Sequence, residues 1–476
     1  MLYWHTRLDK KQIVTFGAQR HVTNARVVGE LRMNACKDNR LVFLHISDIH
    51  LNGEDLSSHQ DVDHDIRNKL LEDLDAPDVD LLDGVNGVLI TGDIAFKGEA
   101  DEYRAATKWL KTLCDKVKCR HSHVWVVPGN HDVCQPSIKK SFIIQSLHDT
   151  VRKTAPPQDG LRKNLADPAA AQELLRALEN YNSFADLYRC RTSPDEIAWS
   201  SRVTLDGEGD SSPAELVLND GSELRLYGLN STLISGPEDE DVGKPNQVVG
   251  LRQVQLREHP GIVNMTLCHH PFDWLMDGDD VQDYLLARAR IQLFGHKHRQ
   301  RALQIENSLV VGAGALHPDR QESDWEPRYN VIQLRIFHED KRKLEALVYE
   351  RAWVPEKTGF GRRAGSGDYP KRVVLDLPAW ENTEKEVEPM AHENKSPPQV
   401  VAAAPITPVN DRDINYDFLE LSYPKRMRLL TEKNLLEEGD ADLNHGDLIE
   451  VVIKRARARG ILNEFGQLVQ RAKQEM

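Results

Sequence analysis

Cysteine is scarce in this chain, and a long apolar run is missing altogether. The 476 residues include six cysteines, none in a C-x-x-C pair, which indicates packed thiols in a reducing compartment. No stretch approaches the roughly 20 apolar residues that cross a bilayer, so no membrane partner is expected. The N-terminal segment also lacks the apolar core of a signal peptide. We therefore expect a cytoplasmic protein.

Positive charge is in the minority as well. Lys and Arg total 61 against 75 Asp and Glu, which gives a formal net charge of −14. This balance argues against a broad nucleic-acid-binding surface that works by neutralising phosphates, but it leaves room for a local basic cleft. The hydrophobic content of 40% and the charged content of 29% are those of a globular protein. The length suffices for one large domain and a smaller one, or for two to three domains.

Short apolar runs alternate with helical periodicity from Leu41 onward. This alternation predicts a buried sheet in an α/β arrangement, and strand-like runs after residue 327 are expected to complete a second sheet. From about Pro378 the composition becomes rich in proline and charge, which is typical of a linker. The predicted organisation is an N-terminal extension (1–40), an α/β domain (41–377) with a helical insertion or cap (137–198), a flexible linker (378–412) and a small all-helical domain (413–476).

Side chains that can bind metals follow five of the predicted strands. Because the carboxyl ends of strands in open α/β sheets form the usual crevice for ligands, we expect these side chains to converge on one site. The strands are LVFLHI, GVLIT, HVWVV, IVNMTLC and IQLF. The polar residues that follow them, in the same order, are Asp48 and His50; Asp93; Asn130, His131 and Asp132; His269 and His270; and His296 and His298.

The residue types define the chemistry of this predicted site. Carboxylate, amide and imidazole groups without thiolate suit Mn, Fe, Zn or Co better than a lone Ca or Mg ion. The groups are too many for a single tetrahedral ion, but they are the right number for two divalent ions that share a carboxylate. Glycines before Asp93, Asn130 and His296 fit tight turns close to such ions. We therefore predict a dinuclear metal centre.

The blocks DIH, GD, GNHD, H and GHKH, in this order over roughly residues 41–375, resemble the calcineurin-like metallophosphoesterase superfamily. The resemblance implies a four-layer αββα sandwich with two metal ions, Mn, Fe or Zn, at one end. It implies a first metal held by Asp48, His50, Asp93 and His298, and a second held by Asp93, Asn130, His269 and His296, with Asp93 as the bridge. The CHHP stretch leaves His269 and His270 as alternatives, and we favour His269 because it directly follows the strand.

The same resemblance implies a catalytic role for His131, as an acid or charge stabiliser and not as a ligand. Asp132 either orients and charges this imidazole or caps the turn. Two ions would bind the phosphate oxygens and lower the pKa of a bridging water, giving hydroxide near neutral pH. In-line attack places charge on the leaving oxygen, which His131 can protonate. We expect hydrolysis without a covalent intermediate.

The substrate is less well defined by the sequence. SDIHLNG and TGDIAFKGEADEY are similar to the bacterial phosphodiesterase branch, which implies a phosphodiester in a nucleotide or a nucleic acid. The alternatives are a DNA or RNA nuclease of the repair type, a phosphomonoesterase or protein phosphatase, and a non-catalytic scaffold that a partner recruits. Basic residues near the last block either contact phosphate or form a solvated face: Arg288, Arg290, Lys297, Arg299 and Arg301.

The C-terminal segment 413–476 resembles the small helical adaptor or effector-associated domains of bacterial conflict and antiphage systems. The resemblance implies a protein partner and an effector role in defence. The alternatives are a helical tail that packs on the main domain and a dimerisation element, so no oligomeric state is predicted. The run KRARAR (454–459) either binds nucleic acid or is a solvated helix face.

Overall fold

The computed structural model describes residues 40–53, 61, 63–79, 81, 84–202, 214–236, 239, 245–318, 326–363, 365, 367–381 and 410–475. The predicted N-terminal extension, except for its last residue, lies outside these ranges, as does most of the predicted linker. Among the described residues, no helix is both long and apolar enough to cross a bilayer.

The first of two mixed sheets has seven strands in the order β12-β11-β10-β1-β2-β3, with β13 paired to β11. Strands β1, β2 and β3 are parallel, and β10 runs antiparallel to β1. Every residue of β2 and β3 is buried, as expected for parallel strands that are covered on both faces. The strands are β1 (Leu41–Ile46), β2 (Gly87–Ile90), β3 (Val124–Val126), β10 (Arg328–His338), β11 (Arg342–Val354), β12 (Gly359–Arg362) and β13 (Lys371–Asp376).

The second sheet has six strands in the order β4-β5-β6-β7-β9-β8. Its central strands β5, β6, β7 and β9 are parallel, so their carboxyl ends lie at one edge. The strands are β4 (Trp199–Ser200), β5 (Glu223–Leu229), β6 (Ile262–Cys268), β7 (Ile291–Phe294), β8 (Arg301–Ile305) and β9 (Ser308–Gly312). Two mixed sheets flanked by helices confirm the predicted α/β metallophosphoesterase sandwich. The prediction that the strands after residue 327 complete a second sheet is wrong, because these strands extend the first sheet from β1.

Helices cover these sheets and build the predicted insertion. Helix α2 (Ala100–Lys116) begins after Glu99, whose backbone N–H donates to the carboxylate of Glu102 at 3.0 Å, and its buried face includes Tyr103 and Leu110. The insertion holds five α-helices, the last of which ends at Ala185. The chain forms no further α-helix between Ala185 and β4. The helices are α1 (His64–Asp73), α2 (Ala100–Lys116), α3 (Gln135–Lys140), α4 (Phe142–Lys153), α5 (Pro157–Ala166), α6 (Pro168–Leu175), α7 (Glu179–Ala185) and α8 (Gly278–Arg288).

The C-terminal module is all helical, with α9 (Asp411–Glu420), α10 (Tyr423–Glu432), α11 (His445–Ala458) and α12 (Leu462–Gln474). It has its own core, in which Phe418 faces Phe465 at 6.1 Å between ring centroids. The first helix begins two residues before the predicted boundary at 413, so Arg412 belongs to the module. Tyr416, on the same helix, is buried in the core of the main domain.

The module is attached to the main domain by polar contacts around α9. Arg412 is 1% exposed and hydrogen-bonds to the carbonyl of Tyr188 in the main domain. Asn415 donates to the carbonyl oxygens of Asp186 and Leu187 at 2.8 and 3.2 Å. Ion pairs join the two parts at Lys111–Glu420, Arg120–Asp413 and Arg191–Asp447. The described part of the module is therefore packed on the main domain.

Candidate metal centre

The turns that follow the strands hold five of the predicted ligands in an unusual backbone conformation. Asp48, His50, Asp93, His296 and His298 all have positive φ, between 48° and 65°. Side chains with a Cβ rarely adopt this left-handed region, and each such residue costs about 1–2 kcal/mol. Strain of this kind is retained where it aims side chains at a site.

The first predicted set of ligands lies together. Oδ1 of Asp48 is 3.4 Å from Nε2 of His298, and Nε2 of His50 is 3.4 Å from Oδ2 of Asp93. Two ligands bound to one ion at 2.0–2.2 Å lie about 3.0–3.5 Å apart. The donor atoms of Asp48, His50 and His298 also form one compact group. The spacing and chemistry of this group fit a divalent ion.

The second predicted set meets the first at Asp93. Nε2 of His269 lies 3.2 Å from Oδ2 of Asp93 and 3.1 Å from Oδ1 of Asn130. The same carboxylate oxygen is thus near one ligand of each set, as a bridge between two ions requires. Nε2 of His296 is buried and makes no hydrogen bond to the described residues. A buried ring nitrogen without a partner costs free energy, and a metal ion bound to it would remove that cost.

Backbone carbonyls orient two of the imidazoles. Nδ1 of His269 lies 2.7 Å from the carbonyl oxygen of Thr91, and Nδ1 of His50 lies 3.3 Å from that of His317. Because a carbonyl can only accept, each Nδ1 carries a proton, and each Nε2 is the nitrogen that faces the site. Such support is usual behind metal-binding histidines.

Charges inside the centre reinforce one another. Burial alone would raise the pKa of Asp93, but the imidazoles around it, His269 first, hold that pKa well below its ordinary value. Burial alone would lower the pKa of His269, but Asp93 raises it to about 9. Burial and the neighbouring His269 lower the pKa of His296 to about 3. The centre therefore combines an ionised carboxylate with imidazoles of very different basicity.

Two glycines leave no room for a larger side chain beside the centre. A Cβ on Gly129 would lie 2.1 Å from Oδ1 of Asp93. Gly92 has a φ of +92°, and a Cβ there would lie 2.5 Å from Nδ1 of His269. Both distances are far below a normal van der Waals contact, so the close approach of the turns requires glycine at these positions.

His131 lies at the edge of the centre. Its Nδ1 donates to the carbonyl oxygen of Phe96 at 2.9 Å, and its ring is 4.7 Å from that of His50. Its backbone N–H donates to Oδ1 of Asp93 at 2.8 Å. Because Nδ1 is engaged, Nε2 is the atom available to a substrate. This geometry suits the predicted role as an acid or charge stabiliser.

Asp132 has other partners than the imidazole of His131. Its carboxylate accepts from the N–H groups of Gly129 and Ala95 at 2.9 and 3.0 Å, and from the hydroxyl of Tyr103 at 2.9 Å. It is completely buried, and burial raises its pKa to about 6. These contacts favour the second of the two predicted roles, a carboxylate that caps the turn. The other role, orientation of the His131 imidazole, stays a prediction.

His269 and His270 occupy different places. His269 is the residue that approaches Asp93 and Asn130, whereas Nδ1 of His270 lies 2.8 Å from Oγ of Ser231. The donor atoms of His269, His270 and His296 nevertheless form a compact group. The geometry favours His269 as the ligand that lies beside Asp93 in the second set, and it places His270 next to the same site.

The sequence interpretation missed several residues around the centre. Phe96 is 38% exposed and stacks on His131 at 5.5 Å between ring centroids. Trp274 packs against His296 at 4.1 Å. His317 contacts the turn of Asp48 and His50. Phe96 closely follows the GD block, and Trp274 closely follows the HHP block. Their positions in the sequence therefore indicated proximity to the site, whereas the sequence held no such indication for His317.

The fold and these ligand groups define a metal-dependent phosphoesterase, and comparison with known families agrees. Residues 41–300 match the family model of the calcineurin-like phosphoesterases, and the chain belongs to this family. Residues 410–471 match the model of the GTPase-associated adaptor domain. No curated protein sequence matches the chain.

The solved structures that match this chain are distant from it in sequence. Vps29 from Entamoeba histolytica has 12% identity and a TM-score of 0.28 over 71% of this chain and 100% of its own. A putative 5'-nucleotidase from Staphylococcus aureus has 10% identity and a TM-score of 0.31 over 72% and 55%. A predicted phosphoesterase from Streptococcus pneumoniae has 10% identity and a TM-score of 0.23 over 66% and 98%.

Proposed function

We propose that this phosphoesterase hydrolyses phosphodiester bonds in a nucleotide or a nucleic acid, with two divalent ions of Mn, Fe or Zn. The observation that carries the proposal is the position of Asp93, one of whose oxygens lies near a predicted ligand of each ion. Asp48, His50 and His298 would hold the first ion with Asp93, and Asn130, His269 and His296 would complete the second site. When bound, the ions supply positive charge to the phosphate oxygens and a hydroxide nucleophile near neutral pH.

The residues of the chain divide the remaining work. Asp93 keeps its negative charge between the two sites because the surrounding imidazoles depress its pKa. His131 faces the site with Nε2, from which it can give a proton to the leaving oxygen. Asp132 and Tyr103 hold the turn that carries His131. The exposed ring of Phe96 beside His131 offers a flat apolar surface to a ring-bearing leaving group, which supports a nucleotide substrate.

The test is hydrolysis of bis(p-nitrophenyl) phosphate by the purified chain in Mn²⁺. We expect turnover that EDTA abolishes and that His131→Ala lowers by about 10²–10⁴-fold in kcat. His121→Ala serves as a matched control, since His121 pairs with Asp115 at the surface and should leave kcat unchanged. Cleavage of the p-nitrophenyl monoester alone would contradict the diester preference and favour a phosphomonoesterase or protein phosphatase. No turnover with any phosphate ester would favour the scaffold alternative.

A nuclease is the second candidate activity. Arg299 and Arg301, which come after the GHKH block, are exposed, whereas Lys297 pairs with Asp273. Exposed arginines near a diester-cleaving centre can contact a nucleic-acid backbone. Incubation with single- and double-stranded DNA and RNA tests this directly. If Arg299→Ala/Arg301→Ala lowers nucleic-acid cleavage but not small-diester cleavage, the nuclease is favoured.

The C-terminal module is proposed to bind a protein partner. Its match to the GTPase-associated adaptor domain makes a GTPase the first partner to test, and an effector role in bacterial defence would follow from such recruitment. The basic run 454–459 argues against nucleic-acid binding, because Arg455, Arg457 and Arg459 pair with acidic groups of the chain itself. Co-purification with a co-expressed GTPase would support this role. Loss of binding on Tyr423→Glu, an exposed residue of α10, would locate the surface.

A further inference from the structure

The turn of Asp48 and His50 is held from two sides. Its N–H groups point to one side, where Ile49 and His50 donate to the carbonyl oxygen of Asp93 at 2.8 and 3.0 Å. Its carbonyl groups point to the other side, toward the segment that follows β9. There the N–H of Leu316 donates to the carbonyl of Ser47 at 3.0 Å. The turn is therefore fixed by two segments that are distant in sequence.

His317 makes most of the contacts on the second side. Its N–H donates to the carbonyl of Asp48 at 3.1 Å, and its ring Nδ1 donates to the carbonyl of Ile49. Its own carbonyl accepts from Nδ1 of His50 at 3.3 Å. The side chain is 4% exposed, and its Nε2 makes no hydrogen bond to the described residues. The imidazole thus acts through one atom, Nδ1, on the turn between two predicted ligands.

We propose that His317 is a positioning residue of the first metal site. The inference rests on the proposed metal centre, but it concerns a residue outside the ligand set. Asp48 and His50 have φ values of 54° and 48°, in the left-handed region that is strained for side chains with a Cβ. Three hydrogen bonds join residue 317 to this turn, and surrounding contacts of this kind are what keep a strained backbone in place.

The side-chain bond is the part that a substitution can remove. Without the ring, residue 317 loses its bond to Ile49 and keeps only its backbone N–H bond to Asp48, so the carbonyl that orients His50 is held less firmly. His50 would then present Nε2 in a range of directions, and the ion would lose a fixed ligand. Substitution of groups that orient metal-binding histidines typically weakens metal affinity about 10–100-fold.

The experiment measures Mn²⁺ affinity of the metal-free full chain by isothermal titration calorimetry, alongside thermal unfolding in EDTA. His317→Ala should weaken the first-site affinity about 10–100-fold. His317→Asn should restore most of this affinity, because the amide nitrogen of Asn is separated from Cα by the same number of bonds as Nδ1 of His. His317→Gln should not restore the affinity, because the amide nitrogen of Gln is one bond farther from Cα and takes the place of Nε2. His148→Ala, which removes an equally buried imidazole from α4, should lower the unfolding temperature without changing metal affinity.

The possible results separate this inference from the proposed function. Unchanged affinity in His317→Ala, or equal losses in the Asn and Gln variants, would overturn the positioning role. If the Ala variant does not fold, the Asn and Gln pair decides alone. Normal metal binding without hydrolysis by the wild-type chain would overturn the proposed function and leave the role of His317 intact. A wild-type chain that binds no Mn²⁺ would overturn both.

Discussion

Arg412 offers the sharpest test of how the C-terminal module is joined to the phosphoesterase. Its guanidinium is buried in the main domain, where Nε donates to Oε2 of Glu215 at 3.0 Å. A second nitrogen reaches the carbonyl oxygens of Tyr188 and, at 3.4 Å, Val124. The charged group also lies 4.8 Å from the ring centroid of Trp125. Arg412→Met keeps much of the apolar side chain and removes the charge.

The expected loss follows from what the substitution leaves behind. Glu215 would remain poorly exposed without its cation, and removal of one partner of a buried ion pair costs about 3–5 kcal/mol. The cation–π contact with Trp125 adds about 0.5–2 kcal/mol. Because domains are stable by only about 5–15 kcal/mol, the variant should lose a large share of the free energy of unfolding. Adding Glu215→Gln should recover part of this loss, since no unpaired charge then remains.

The assay is urea unfolding of the full chain, followed by tryptophan fluorescence and by circular dichroism. Arg120→Ala is the matched control at the same interface, because Arg120 pairs with Asp413 but its side chain is 59% exposed. A pair of this kind contributes about 0–1 kcal/mol. If Arg412→Met costs no more than Arg120→Ala, the buried attachment of the module is refuted. Separate unfolding transitions of module and main domain in the wild-type chain would refute it as well.

Two further predictions concern the metal bridge and the pH dependence of stability. Asp93→Asn should abolish binding of both Mn²⁺ ions, whereas His298→Ala should remove only the first, which the stoichiometry in calorimetry distinguishes; equal loss in both variants would contradict the bridge. Burial raises the pKa of Asp186, beside the module, from its ordinary value of 3.8 to about 6, although Arg191 opposes this. The folded protein therefore holds a proton that the unfolded chain releases in this interval, so the free energy of unfolding falls as pH rises from about 4 to 6. Asp186→Asn should raise the unfolding temperature at pH 8 but not at pH 4, and an equal rise at both pH values would argue against this titration.

The sequence predicted the sheet and the site for the same physical reason. Buried parallel strands read as continuous apolar runs, so their carboxyl ends, where Asp48, Asp93 and His269 lie, could be located without coordinates. The partners of Asp132 could not, because apart from the Tyr103 hydroxyl they are backbone N–H groups, which no residue type reveals. His317 was missed for a related reason, since its role depends on a contact across 268 positions of the chain.

The attachment of the module was hidden by composition. Arg412 closes a stretch rich in proline and charge, and an arginine in such a stretch is usually exposed. Only the fold reveals that Glu215 and the Tyr188 carbonyl accept hydrogen bonds from its guanidinium. Tyr416 was equally ambiguous, because a helical tyrosine can face either the core of its own module or that of a neighbour.

Strand β3 connects the module to the proposed metal centre. Arg412 contacts the Val124 carbonyl and the Trp125 ring within this strand. The carbonyl of Val126 accepts two further hydrogen bonds, from Tyr181 at 3.1 Å and from Trp199 at 2.8 Å. Four residues later the chain presents Asn130 to His269. The same short buried strand thus contacts the module along its length and leads into the turn that carries Asn130. The module is therefore packed against the enzyme and is not joined to it by a linker alone. A partner that binds the docked module would therefore orient the phosphoesterase site directly.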